Sequence, residues 1–170
     1  MRGKIAGFTL VELMVTIAVA AILLTVGVPS LKSLYDAYRG SSEISRIQQT
    51  LAFAKNQAVS YGAPVTVCPI SSGTSCGNDW GAGMQVIITS NASGSPVVKK
   101  LKVVDGFNSN DSITGAEVEF RPDGLTNNQS QATFIYCPNG HTDDSRSVTV
   151  SVSGMIRYGD DNLSCGSLAD

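Results

Sequence analysis

The chain has 170 residues, 42% of them hydrophobic and 15% charged, with a net charge of −2 at pH 7. That length accommodates one long helix and a single globular domain of about 110 residues. From residue 61 onward six Lys or Arg stand against eleven acids, a balance of −5, which excludes a general polyanion binder, because such affinity rests on many basic contacts.

In chain order, the first signal is a junction, Gly7-Phe8-Thr9-Leu10-Val11-Glu12, at the mouth of an apolar run. Arg2 and Lys4 are the only charges before Glu12 and Lys32 is the next one after it, so residues 13–31 form an uncharged stretch of 19 residues. As a helix it measures about 28 Å, close to the roughly 30 Å hydrocarbon core of a bilayer. Two basic residues ahead of the span predict a cytoplasmic N-terminus, with everything after residue 31 on the far side. Glu12 stands where a span tolerates a carboxylate least, at about 2 to 3 kcal/mol if ionised and alone, so it reads as a functional residue with a partner. An ordinary cleaved signal peptide, with Ala18-Val19-Ala20 as its small-residue site, fits worse. Glu12 interrupts its apolar region, and cleavage there leaves residues 21–28 as an exposed apolar terminus.

The span leads into an amphipathic helix over residues 31–60, where Ile44, Ile47, Leu51, Ala54 and Ala58 step by three and four with polar residues between them. Gly27 and Pro29 mark a kink or local melting, since an interior Pro lacks its N–H and costs about 3 kcal/mol. Gly40-Ser41-Ser42 is a milder weak spot. Tyr61-Gly62-Ala63-Pro64 ends the helix, and the period then changes to two. Seven short strands are predicted, over 65–68, 84–89, 97–104, 116–120, 132–137, 147–152 and 155–158. Turn signals at 91–96, Arg121-Pro122-Asp123-Gly124 and Ser153-Gly154 separate them and imply antiparallel pairing. The polar stretch 126–131 reads as a hairpin loop. The fold class is α+β: a long N-terminal helix packed on an antiparallel sheet or sandwich, with residues 8–60 as helix and 61–170 as head.

Cys68, Cys76, Cys137 and Cys165 all fall in the exported part, an even number in a compartment that permits disulfides. No Cys-x-x-Cys pair occurs, and His141 stands in an Asn-Gly-His turn, so bridges are favoured over zinc. Of three possible connectivities the preferred one joins Cys68 to Cys76 around a Pro-, Ser- and Gly-rich loop and Cys137 to Cys165 at the C-terminal tail; spacing alone leaves the others open. Trp80, between a loop and a strand, reads as a core anchor. Asp143-Asp144 and Asp160-Asp161-Asn162 lack an EF-hand pattern and read as solvated turns, so no metal is assigned. No nucleophile elbow or phosphate loop is present and His141 has no nucleophile partner by motif, so the reading assigns no catalytic residue and no cofactor.

The junction resembles the class III signal of type IV prepilins and type II secretion pseudopilins, carried by Gly7, Phe8, Thr9, Leu10, Glu12 and Pro29. The resemblance implies that residues 1–7 are a leader, that prepilin peptidase cuts after Gly7 and that the new Phe8 amine is N-methylated. That amine lies four residues, about one helical turn, from Glu12, so one subunit's amine can pair with a neighbour's carboxylate. Residues 8–31 then serve as membrane anchor and assembly segment.

The head is similar to the GspH/FimT/FimU group of pilin-like proteins. The similarity is carried by Ala54-Lys55-Asn56-Gln57-Ala58, Val65-Thr66-Val67-Cys68, Trp80-Gly81-Ala82-Gly83, Phe120-Arg121-Pro122-Asp123-Gly124 and Val150-Ser151-Val152-Ser153-Gly154. It implies a pilin fold and a minor pilin, a filament subunit that partners other pilins through its N-terminal helix and resides in the inner membrane before assembly. A GspH-like pseudopilin and a DNA receptor for natural transformation are the alternatives. DNA-uptake members carry a Gly-Arg-x-Arg hairpin; here the residues are Gly154-Met155-Ile156-Arg157. Arg157 alone remains of that arginine pair, with Asp160 and Asp161 just beyond, so any DNA contact is expected to be weak.

Overall fold

The computed structural model describes residues 8–90 and 96–166, the side chains of 26–29 excepted. Arg2, Lys4, Gly7 and most of the 91–96 turn therefore lie outside the described residues.

One helix, α1 (Leu10–Tyr61), opens the chain. Thr9 caps it: its Oγ1 accepts the Glu12 N–H at 3.2 Å and its carbonyl accepts the Leu13 N–H at 3.1 Å, satisfying donors a helix start leaves open. It stops at Gly62, whose φ of +60° is the left-handed conformation that glycine adopts most easily at a helix C-terminus. The kink expected at Gly27 and Pro29 falls where side chains lie outside the described residues.

The chain divides into two compact units, Met1–Tyr35 and Asp36–Asp170. In the first, every described side chain from residue 8 to residue 35 is exposed. By length and composition, its helix is apolar enough to cross a membrane.

In the second unit, the continuation of α1 is followed, among the described residues, by eight strands: β1 (Val65–Pro69), β2 (Gly83–Ser90), β3 (Val97–Asp105), β4 (Ser112–Thr114), β5 (Val118–Phe120), β6 (Ala132–Cys137), β7 (Arg146–Val150) and β8 (Ile156–Tyr158). They form two four-stranded sheets, ordered β3-β2-β1-β5 and β4-β6-β7-β8, with every pair antiparallel. The helical stripe Ile44, Ile47, Leu51, Ala54 and Ala58 is buried to 2% exposure or less. It shares one core with Val65, Val67, Met84, Val86, Val118 and Phe120 of the first sheet and Phe134, Tyr136, Val148 and Val150 of the second. Each large apolar side chain so buried contributes about 1.5–3 kcal/mol.

Two details differ from the sequence reading. β4 was not expected, because Ser112-Ile113-Thr114 offers a single apolar residue and no alternation to detect; its pairing with Cys137, Tyr136 and Ile135 supplies the register. The 126–131 stretch does not close a hairpin but crosses from β5 in one sheet to β6 in the other. It folds back on β5 instead, with the Asn127 N–H donating to the Glu119 carbonyl at 2.9 Å and Asn128 Nδ2 to the Glu117 carbonyl at 2.8 Å.

Candidate processing and assembly site

At the N-terminus, Phe8 precedes the helix and is 80% exposed. Glu12 occupies the first turn, and its backbone N–H is held by Thr9. A carboxylate in a first helical turn is favoured by the helix dipole, and Thr-x-x-Glu is a capping pattern in its own right. Capping accounts for the position of Glu12 but leaves its carboxylate exposed, with no ion pair or side-chain hydrogen bond among the described residues. An exposed anion at the start of an apolar span is open to a cation from outside the chain.

Where α1 enters the second unit, a polar cluster ties it to the head. An Arg39 guanidinium nitrogen lies 3.2 Å from Asp36 and 2.9 Å from Asp111, whose side chain has no solvent exposure. The Tyr136 hydroxyl donates to Asp111 Oδ2, and the Asn139 N–H donates to Asp111 Oδ1 at 2.8 Å. Burial first, then the hydrogen bond and charge of Asp111, hold the Tyr136 phenol far above the usual tyrosine range. One turn on, Arg46 pairs with Glu43 at 2.8 Å and stacks over the Phe107 ring at 4.6 Å. Sequence reading missed this cluster. Asp36 and Arg39 at i,i+3 were a visible pair, but nothing in the sequence marked Asp111, 72 positions further on, as their third member.

Two disulfides, Cys68–Cys76 and Cys137–Cys165, close loops of sequence separation 8 and 28. The second fastens the C-terminal tail, which also lies along β7: the Gly159 N–H donates to the Ser147 carbonyl at 3.0 Å and the Ser145 hydroxyl to the Leu163 carbonyl at 3.0 Å. Trp80 is half-buried against the core, edge-on to Phe134 with ring centroids 5.2 Å apart.

The β7–β8 hairpin carries Met155 and Arg157. Its turn interlocks with the Arg121–Gly124 turn: Gly154 has φ +72°, and a Cβ there would fall 2.0 Å from the Gly124 carbonyl oxygen. Lys55 Nζ donates to the Gly154 carbonyl at 2.9 Å, so α1 fixes the hairpin tip. Arg157 pairs across from Thr149, which pairs with Thr133, and all three line a groove of about 370 Å3 with Gln131, Asp160 and Leu163. Arg157 is exposed, and among the described residues no ion pair engages it. Met155, where a second arginine would complete the clamp, is 52% exposed. His141 is exposed at the end of a short 3-10 turn, Pro138–Gly140. Asp161 lies 3.7 Å from Arg146, and among the described residues no three His, Cys, Asp or Glu side chains converge as a metal site.

The sequence matches two family models. The type II transport protein GspH model covers residues 43–155, and the prokaryotic N-terminal methylation motif covers residues 2–28. Among curated proteins, none matches. The fold is similar to that of the type IV minor pilin FimU of Pseudomonas aeruginosa (strain PAO1) in two crystal forms. For the P21 form the TM-score is 0.59 at 23% identity, over 78% of this chain and 96% of that one. For the P65 form it is 0.57 at 24% identity, over 76% and 99%.

Proposed function

The chain belongs to the GspH family of pilin-like proteins, and from that premise we propose that it is a minor type IV pilin, a non-enzymatic filament subunit of the pilus initiation or tip complex. The observation that carries this reading is Glu12: an outward carboxylate at the first turn of an apolar span, without a partner among the described residues. Such a group is costly in a membrane and makes sense when an amine from a neighbouring chain meets it. In this reading prepilin peptidase cuts after Gly7 and methylates the Phe8 amine, which keeps its positive charge. Residues 8–31 hold the chain in the inner membrane, N-terminus cytoplasmic and head periplasmic, until other pilins take it up through the same helix.

Glu12→Ala tests the reading. Cleavage and membrane insertion should be unchanged by intact mass and fractionation, while recovery in sheared filaments falls by about tenfold or more, an amount equivalent to about 1.4 kcal/mol or more of lost pairing. Wild-type recovery would remove Glu12 from assembly.

A second reading, a GspH-like pseudopilin of a type II secretion filament, is favoured by the description of the family model itself. A deletion strain separates the two: loss of surface pili supports the first, loss of exported enzymes with pili intact supports the second.

Duplex DNA is at most a weak ligand, in the high micromolar range or worse at physiological salt, where non-specific binding commonly lies. Arg157 acts alone there, beside Met155, Asp160 and Asp161. Tight, Arg157-dependent binding in a gel-shift titration would favour the DNA-receptor alternative instead.

A further inference from the structure

We propose that the first half of β3, residues 97–100, is a docking edge that accepts an extended segment of another protein as a fifth strand, one in which apolar and acidic residues alternate. Four strands end the two sheets, and they differ in what they leave open. β4, β5 and β8 span three residues each. β5 is also covered, since the Asn127 N–H donates to the Glu119 carbonyl at 2.9 Å and Asn128 Oδ1 accepts the Glu119 N–H at 3.4 Å. β3 has nine residues, and among the described residues no backbone group pairs with its outer side. A row of unpaired N–H and C=O groups is a template for another strand.

Edge strands are commonly guarded by lysines and bulges, and β3 has both, so their placement decides the matter. The bulge lies at Leu101: Val86 pairs with Lys102 and Ile87 with Lys100, leaving one residue over. It bends the strand and confines straight pairing to residues 97–100 on its N-terminal side. Lys100 and Lys102 do not block that stretch. Lys100 Nζ donates to the Ser71 carbonyl at 2.9 Å over one face, and Lys102 Nζ reaches Thr50 Oγ1 at 3.4 Å and the Phe53 ring at 5.5 Å over the other. Both ammonium groups lie over the faces of the sheet, which leaves the edge itself open.

The same residues select the guest. Tyr61, Ala63, Ile88 and Leu101, with Val97 and Lys99, line a cavity of about 320 Å3 beside this edge. It offers a pocket for one apolar side chain of an added strand, on the face to which Ile88 belongs. On the opposite face stands Lys100. Side chains alternate along a strand, so a guest that fills the pocket with one residue places its neighbours toward Lys100. Lys99, Lys100 and Lys102 are three of the six basic residues in a head whose balance is −5, and they attract acids to this strand. A second copy of β3 would set lysines against lysines, which disfavours self-pairing. The partner is therefore a different protein.

Amide hydrogen exchange on the full chain in detergent micelles tests this, with a short, end-capped peptide of alternating leucine and aspartate as probe. Exchange within residues 97–100 should slow by about tenfold or more, because newly bonded amides must open before they exchange. Residues 102–105, beyond the bulge, should be unaffected. Lys100→Glu, on the face that meets the aspartates, should abolish the protection, and the same peptide with lysine in place of aspartate should give none. Unchanged exchange at millimolar peptide, equal protection by the lysine peptide, or equal protection of 102–105 would each overturn the proposal.

Discussion

The two halves of α1 share one secondary structure and live by different physics. Up to residue 35 the helix is apolar almost all round and every described side chain is exposed; from Asp36 on, its apolar residues contract to a stripe that lies inside a core. A helix that is apolar on all sides without internal partners needs lipid or other chains around it, whereas a striped helix is satisfied within its own fold. Substitutions before residue 36 should therefore act on membrane residence and assembly, and those after it on the stability of the head.

The strongest break in that pattern is expected at Arg39, three residues past the boundary. Arg39→Ala leaves the buried Asp111 carboxylate without its cation, and losing one partner of a buried pair costs about 3 to 5 kcal/mol. Chemical denaturation of the full chain in micelles, followed through Trp80, measures it; a loss of under about 1 kcal/mol would mean that the pair is no better than a surface one.

A matched pair of leucines sharpens the comparison. Leu51 has no exposure and Leu23 is 67% exposed. Leu51→Ala should destabilise the head by about 2 to 5 kcal/mol, through lost burial plus the cavity left behind. Leu23→Ala should change it by no more than about 0.5 kcal/mol. Equal losses in the same denaturation assay would erase the distinction between the two regions.

Part of this was open to sequence reading, and the division follows the range of the interactions. The Ile44, Ile47, Leu51, Ala54, Ala58 stripe is a local periodicity, legible without knowing what covers it. The longer strands are legible as short runs rich in β-branched and aromatic residues between turn signals. What stayed hidden is non-local. Nothing in residues 65–69 says that β1 will lie between β2 and β5, and nothing in 112–114 declares a strand until β6 is beside it. Asp111 gains its meaning only when the fold brings Arg39 and Tyr136 to it. At the N-terminus, Glu12 was conspicuous because its cost depends on the apolar run around it, which sequence displays directly; the amine proposed to meet it belongs to another chain.

Alkaline pH supplies the mildest test, and Tyr136 places its effect in the head. Tyr136 is buried to 1% exposure and its phenol is held far above its ordinary value, by burial first and Asp111 second. Unfolded, the same phenol ionises near pH 10. A folded-state value above the unfolded one means that the contribution is complete below about pH 10 and is lost as pH rises further, because the unfolded chain then releases a proton the folded chain retains. On this account alone stability should fall with a slope that approaches about 1.4 kcal/mol per pH unit once the pH is well above about 10. Tyr136→Phe removes the titrating group: it should be less stable at neutral pH, having deprived Asp111 of one of its donors, yet lose less on going from about pH 10 to about pH 11, by about 1 kcal/mol. Denaturation of the two proteins at both pH values gives the difference directly, and because other tyrosines and lysines titrate equally in both, they cancel. Equal pH slopes would show that burial and Asp111 do not confine the phenol to its neutral form.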